Sequence, residues 1–177
     1  MSTSHETIAI ISEALQSEFQ GVVQWYAQRG RPLNRAPKGA WTAHEHLDHL
    51  ILSTKPLNMA LRLPKSLLGI RFGKSKAASR SFDDVVDQYT HCLAQGGKAT
   101  GPYIPTYNLP HDATELTDAF RQEGDRLEEV LTHWSEAQVD KYRLPHPLLG
   151  KLTVREMLYF TLYHTRHHLE TLKRNYT

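Results

Sequence analysis

The chain has 177 residues, of which 40% are hydrophobic and 23% charged, enough for a globular domain with a sizeable core. Its formal charge of +2 and pI of about 8.7 fall short of the clustered basic footprint of a nucleic-acid binder. One cysteine, Cys92, excludes an internal disulfide framework and a multi-cysteine zinc site.

The N-terminal stretch MSTSHETIAIISEALQ has no basic region leading into an apolar run, and no segment approaches ~18 consecutive apolar residues. Neither a signal peptide nor a membrane span is expected, and the cytoplasm is the default location. Apolar residues at spacings of three and four (Ile8, Ile11, Leu15, Phe19, Val22, Tyr26) predict a first helix from Thr7 to Arg29, broken by the Gly/Pro-containing RGRPLNRAPKGA. A second helix begins at Thr42, where Glu45 three residues on completes a capping-box pattern. It runs through Leu47, Leu50 and Ile51 toward Leu63, with Pro56 expected to kink or break it.

Between Pro64 and His111 the pattern weakens. LPKSLLGIRFGKSKAASR is basic and contains glycine; SFDDVVDQYTHCLAQ predicts a short helix capped by Ser81; GGKATGPYIPTYNLPHD reads as a long loop, a kind of segment that is often functional. Cys92 falls in the short helix and reads as a small packed residue. A third long helix is predicted from Thr114 to Trp134, with Leu116, Phe120, Leu127, Val130 and Leu131 as its stripe. A connector with a short helical turn leads to the last helix, opened by Thr153 and Glu156 and running to Arg174. No repeat and no convincing strand pair is visible. The expectation is an all-α fold: one domain over 1–177, a four-helix bundle with a long excursion, 64–112, between the second and third long helices.

Eleven histidines are many for this length. At about 100° per residue, the last helix puts Val154, Met157, Leu158, Thr161, Thr165 and Leu172 on one side. His164 and His168 lie in the same stripe, one turn apart, while His167 points away. Two inward imidazoles are costly unless their nitrogens find partners. Spacing of i, i+4 is also how zinc-binding helices put two nitrogens on one ion. Thr165 follows the first histidine, so the glutamate of the metalloprotease motif is missing. A third ligand would come from WTAHEHLDHLILS. There the apolar side centres on Leu47, Leu50, Ile51 and Thr54; His49 projects away from it and His46 lies nearer its boundary. The wheel alone does not choose between them.

Trp41, seven residues, then His49-Leu50 with Ser53 after it resembles the second-helix signature of the DinB/YfiT-like superfamily. HPLLGKLTVREMLYFTLYHTRHHLETLKR resembles its C-terminal signature: His-Pro, a glycine, a Leu-Thr helix start, then His-x3-His. The resemblance spans essentially the whole chain in helix order. It implies a four-helix bundle with a divalent metal, zinc or nickel, held by His49, His164 and His168. His44, His46 and His167 would then be surface residues, the alternative being that one of them supports a ligand or serves as a fourth. Three imidazoles leave an open coordination position, which points to chemistry rather than to a closed structural site.

The resemblance further implies S-transfer with a low-molecular-weight thiol as co-substrate and a small-molecule electrophile, and it is compatible with a homodimer. An anionic thiol would want cations, which Lys65, Arg71, Lys74, Lys76, Arg80, Lys98 and Arg166 offer, although a solvated basic surface explains such residues as well. Two other readings stay open. One is a metal-dependent hydrolase, for which no catalytic carboxylate stands out; Glu45 could orient His49 instead. The other is a non-enzymatic, stress-related binding or oligomerisation module. No aromatic-interleaved basic stripe supports a nucleic-acid partner.

Overall fold

The computed structural model describes residues 5–28, 36, 39–106 and 113–176. The expected end of the first helix at Arg29, most of the break after it and the 107–112 end of the loop lie outside the described residues. Four long helices carry the architecture: α1 (Ile8–Ala27), α2 (Ala43–Leu61), α5 (Ala113–Leu131) and α7 (Val154–Asn175). In the excursion between α2 and α5 lie α3 (Lys65–Phe72), α4 (Phe82–Ala94) and a single 3-10 turn, Gly101–Tyr103. A short α6 (Glu136–Lys141) and a hairpin, β1 (Arg143–His146) and β2 (Gly150–Thr153), precede α7.

The helix starts follow the predicted caps. Thr42, Ser81 and Thr153 each accept a hydrogen bond from the backbone N–H three residues on, and Glu45, Asp84 and Glu156 reach back to complete capping boxes. Each long helix then buries its apolar stripe. α1 packs on α5 and α7, and α2 packs on the same two helices, which closes a four-helix bundle with the core between them. Phe19 of α1 stacks on Phe120 of α5, ring centroids 4.5 Å apart, and Gly124 leaves room for that pair. α4 lies against α7, so part of the excursion serves as an extra wall beside the bundle.

Two expectations need correction. Of the kink or break expected at Pro56, the break does not occur: α2 continues across it, and the hydroxyls of Ser53 and Thr54 turn back onto the carbonyls of His49 and Leu50 just before it. The connector also contains a strand pair, antiparallel in the register Arg143↔Thr153 to His146↔Gly150. Strands of four residues holding Pro145 show no alternating pattern to read, and tertiary packing onto α3, α6 and α7 supplies the support that such a hairpin lacks alone. The helix α3 also was not anticipated; it ends at Gly73, whose φ of +89° suits glycine.

A partly buried polar network seats the start of α7. Arg155 pairs with Asp140 (2.6 Å) and Glu136 (2.7 Å) of α6. Glu156 accepts from the Arg80 side chain and backbone as well as from the Thr153 N–H. These contacts orient the helix that carries HTRHH.

Candidate metal centre

α7 places His164 and His168 one turn apart, both buried, and α2 brings His49 to them. One nitrogen from each of the three lies within 4.8 Å of the others. His49 Nε2 is 3.0 Å from His164 Nε2, and His168 Nε2 is 3.1 Å from the same atom. Burial holds His164 and His168 well below the ordinary histidine pKa, and the neighbouring imidazoles push the same way. His49 is lowered too, chiefly by burial, against the pull of the Tyr103 carbonyl and Asp48. All three rings are therefore neutral near pH 7.

Proton counting then shows what the cluster lacks. His49 Nδ1–H donates to the Tyr103 carbonyl at 2.7 Å, so its Nε2 is a lone pair. His168 Nδ1 lies 2.7 Å from His46 Nδ1; when His168 donates there, its Nε2 is a lone pair as well. His164 Nε2 faces both and has at most one proton to share between them. Converging lone pairs that cannot all be satisfied by protons are the donor set of a cation. With Zn–N distances of about 2.0–2.1 Å, two ligands of one ion sit roughly 2.9 Å apart in octahedral and 3.3 Å apart in tetrahedral geometry. The two separations measured from His164 Nε2, 3.0 and 3.1 Å, fall between these limits and the third pair lies within 4.8 Å, so the residues present could converge on one divalent ion.

The surroundings hold the rings in place. Trp41 lies flat over His168, centroids 6.2 Å apart and planes at 12°, and 4.9 Å from His49. Phe160 stacks on His164 at 5.0 Å. Asp48 accepts from the Thr106 N–H at 3.0 Å, which together with the His49–Tyr103 bond ties the 3-10 segment to α2. Beside the cluster opens a cavity of about 230 Å³ whose lining includes His49 and His164 but not His168. Its wall is mainly apolar, with Leu57, Leu148, Met157 and Phe160 among the contributors, and Lys98 is the one charged side chain among the described lining residues.

A family model of the DinB superfamily matches residues 15–172. The chain belongs to the DinB superfamily. A comparison with curated proteins finds none that matches.

Within this DinB-superfamily bundle, several expected roles change. His44 and His46 are buried rather than on the surface, because α2 touches both α5 and α7 and a face off its main stripe still looks inward. The His46 ring meets His168, Nδ1 to Nδ1 at 2.7 Å, and so supports one of the three converging imidazoles. Its pKa is lowered to about 4, first by burial and then by His49 and His167. His167 is half-buried beside Tyr163. Glu45 spends its carboxylate on the Thr42 N–H (2.7 Å); the group on His49 Nδ1 is the Tyr103 carbonyl instead. Of the basic residues, Arg80 is paired with Glu156, Arg166 with Glu18, and Lys65 lies over the Trp134 ring; only Lys98 reaches the cavity. Cys92 packs half-buried, its thiol toward the Leu148 carbonyl. Tyr103 gave no signal in the sequence, since nothing in a loop announces which carbonyl will meet a helix.

Proposed function

We propose that His49, His164 and His168 hold a divalent metal ion, zinc or nickel, and that this whole chain, 1–177, acts as one DinB-like domain on a small molecule. The observation that carries the reading is the convergence of three buried, neutral imidazole nitrogens at the end of an apolar cavity. A bound ion there supplies Lewis acidity and lowers the pKa of a thiol or water that reaches it. His49 and His164 present the reactive end of the cavity, and His168, outside its lining, would hold the ion from the far side. His46 and the Tyr103 carbonyl set which nitrogen of His168 and His49 is free. Phe160 and Leu148 keep bulk water from the substrate.

Thiol-dependent S-transfer is the chemistry we favour. Among the described residues no cysteine lines the cavity, and the lining hydroxyls of Ser53, Thr54 and Thr161 donate to backbone carbonyls, which suits a borrowed thiol; Lys98 provides a cation for an anionic one. No aspartate or glutamate lines the cavity among the described residues, so hydrolysis by a carboxylate base has no support. A binding module without turnover is the remaining alternative. A homodimer, implied by the resemblance, and a cytoplasmic location, the default expectation, are part of the proposal; among the described residues no helix is long and apolar enough to cross a membrane.

Elemental analysis of untagged protein tests the centre. Near one metal per chain is expected, lost in His49→Ala, His164→Ala and His168→Ala and kept in His167→Ala. Wild type that stays metal-free after reconstitution with zinc or nickel refutes the site. Saturable turnover requiring both thiol and metal distinguishes the transferase from a hydrolase, and intact metal binding with no turnover favours the module.

A further inference from the structure

His146 stands on the hairpin, away from the three-histidine cluster in sequence, yet its ring lines the same cavity. Two backbone groups, the N–H of Leu148 and the N–H of Leu149, donate to its Nδ1 at 3.2 and 3.1 Å. A nitrogen that receives two N–H donors carries no proton of its own, so the proton of the ring sits on Nε2. That atom lies across the ring from the turn. It has no hydrogen-bond partner among the described residues, and it is the one polar atom the ring can offer to the cavity. Phe160 packs against the ring at 4.2 Å between centroids, which fixes its tilt. Burial lowers the His146 pKa to about 4, in keeping with a neutral ring.

We infer that His146 is a substrate-binding residue: its Nε2–H donates a hydrogen bond to an acceptor atom, a carbonyl or similar oxygen, on a small apolar molecule in the cavity. The inference rests on the proposed function only in taking this cavity as the substrate's place. Size limits the class of ligand. A cavity of about 150 Å³ holds benzene, and drug-sized ligands need roughly 300 Å³ or more. The present cavity, about 230 Å³, therefore takes a substituted ring or an equivalent body, on the order of a dozen non-hydrogen atoms. A larger thiol co-substrate fits only with most of its bulk outside, on the Lys98 side. The cavity thus holds the electrophile, and His146 reads its polar atom.

Two substitutions separate recognition from turn structure. In His146→Asn the side-chain oxygen can still accept from the turn N–H groups, while the cavity donor is lost. In His146→Gln the amide nitrogen can occupy the place of Nε2, while the turn acceptor is lost. The probes are acetophenone and ethylbenzene, nearly equal in shape, one with a carbonyl acceptor and one without. Affinities come from NMR titration of zinc-loaded protein and of protein in excess chelator, so that failure of the metal reading leaves this test standing. Wild type should prefer acetophenone about fivefold, the scale of one net hydrogen bond, with or without metal. His146→Asn should lose the preference with ethylbenzene affinity unchanged, and His146→Gln should retain it. The inference is overturned if His146→Asn keeps the preference, if both ligands weaken equally in His146→Asn, if the preference vanishes in chelator, or if wild type binds neither probe.

Discussion

Replacing His46 by phenylalanine removes one hydrogen bond and leaves the three converging nitrogens in place. His46 Nδ1 sits 2.7 Å from His168 Nδ1, and both rings are buried. Without that acceptor, His168 Nδ1–H loses its partner in the interior, at a cost of about 1–3 kcal/mol, and the ring loses the contact that directs Nε2 at the cluster. Removing such a supporting group typically lowers metal affinity about 10–100-fold, which is roughly 1.4–2.7 kcal/mol. For a chain of this length each kcal/mol moves the melting temperature by about 2–4 °C. At equal excess zinc, the zinc-induced rise in melting temperature should therefore be about 3–10 °C smaller in His46→Phe than in wild type. Competition against a chromophoric chelator measures the affinity, and thermal unfolding with and without zinc measures the linkage. His46→Asn, whose side-chain oxygen can take the place of Nδ1, should recover part of the loss. Wild-type affinity in His46→Phe, or a loss as complete as in His168→Ala, would refute the reasoning, since the first makes the bond idle and the second makes His46 a ligand.

Two further outcomes follow from the packing and from the charged seat of α7. A Cβ on Gly124 would lie 2.7 Å from Phe19 Cδ1, and the Phe120 stack blocks retreat of the ring. Overpacking of about 1–3 kcal/mol should outweigh the gain of about 1 kcal/mol in helix propensity; a Gly124→Ala protein more stable to urea than wild type contradicts this. Burial alone would raise the Glu156 pKa, but hydrogen bonds from Arg80 and Thr153 outweigh it and the net shift is downward. A carboxylate depressed in the folded state stabilises above its unfolded pKa, about 4.3, and that contribution fades as pH falls through the lower folded value. Urea midpoints should therefore fall less between about pH 5 and pH 3 in Glu156→Gln than in wild type, and identical acid sensitivity would show that the pair contributes nothing.

The helices and the inward pair were legible in the chain because both are local. Capping boxes at Thr42 and Thr153 and stripes at spacings of three and four depend on residues within a turn of one another, so α2 and α7 begin where predicted. His164 and His168 share a face by helix geometry alone. His49 came from the resemblance; its own wheel left it level with His46, because the position of a face relative to two neighbouring helices is not written in one helix. Tertiary packing decided the rest. It buried His44 and His46, turned His46 onto His168, brought the Tyr103 carbonyl to His49 from 54 residues away and folded Arg143–Thr153 into a hairpin that carries His146 to the cavity. The sequence by itself determined the four long helices and that two imidazoles face inward, since those follow from backbone periodicity, whereas α3 escaped it. Only the assembled structure decided which nitrogens are free, because a ring's tautomer is set by whatever donor or acceptor packing brings against it.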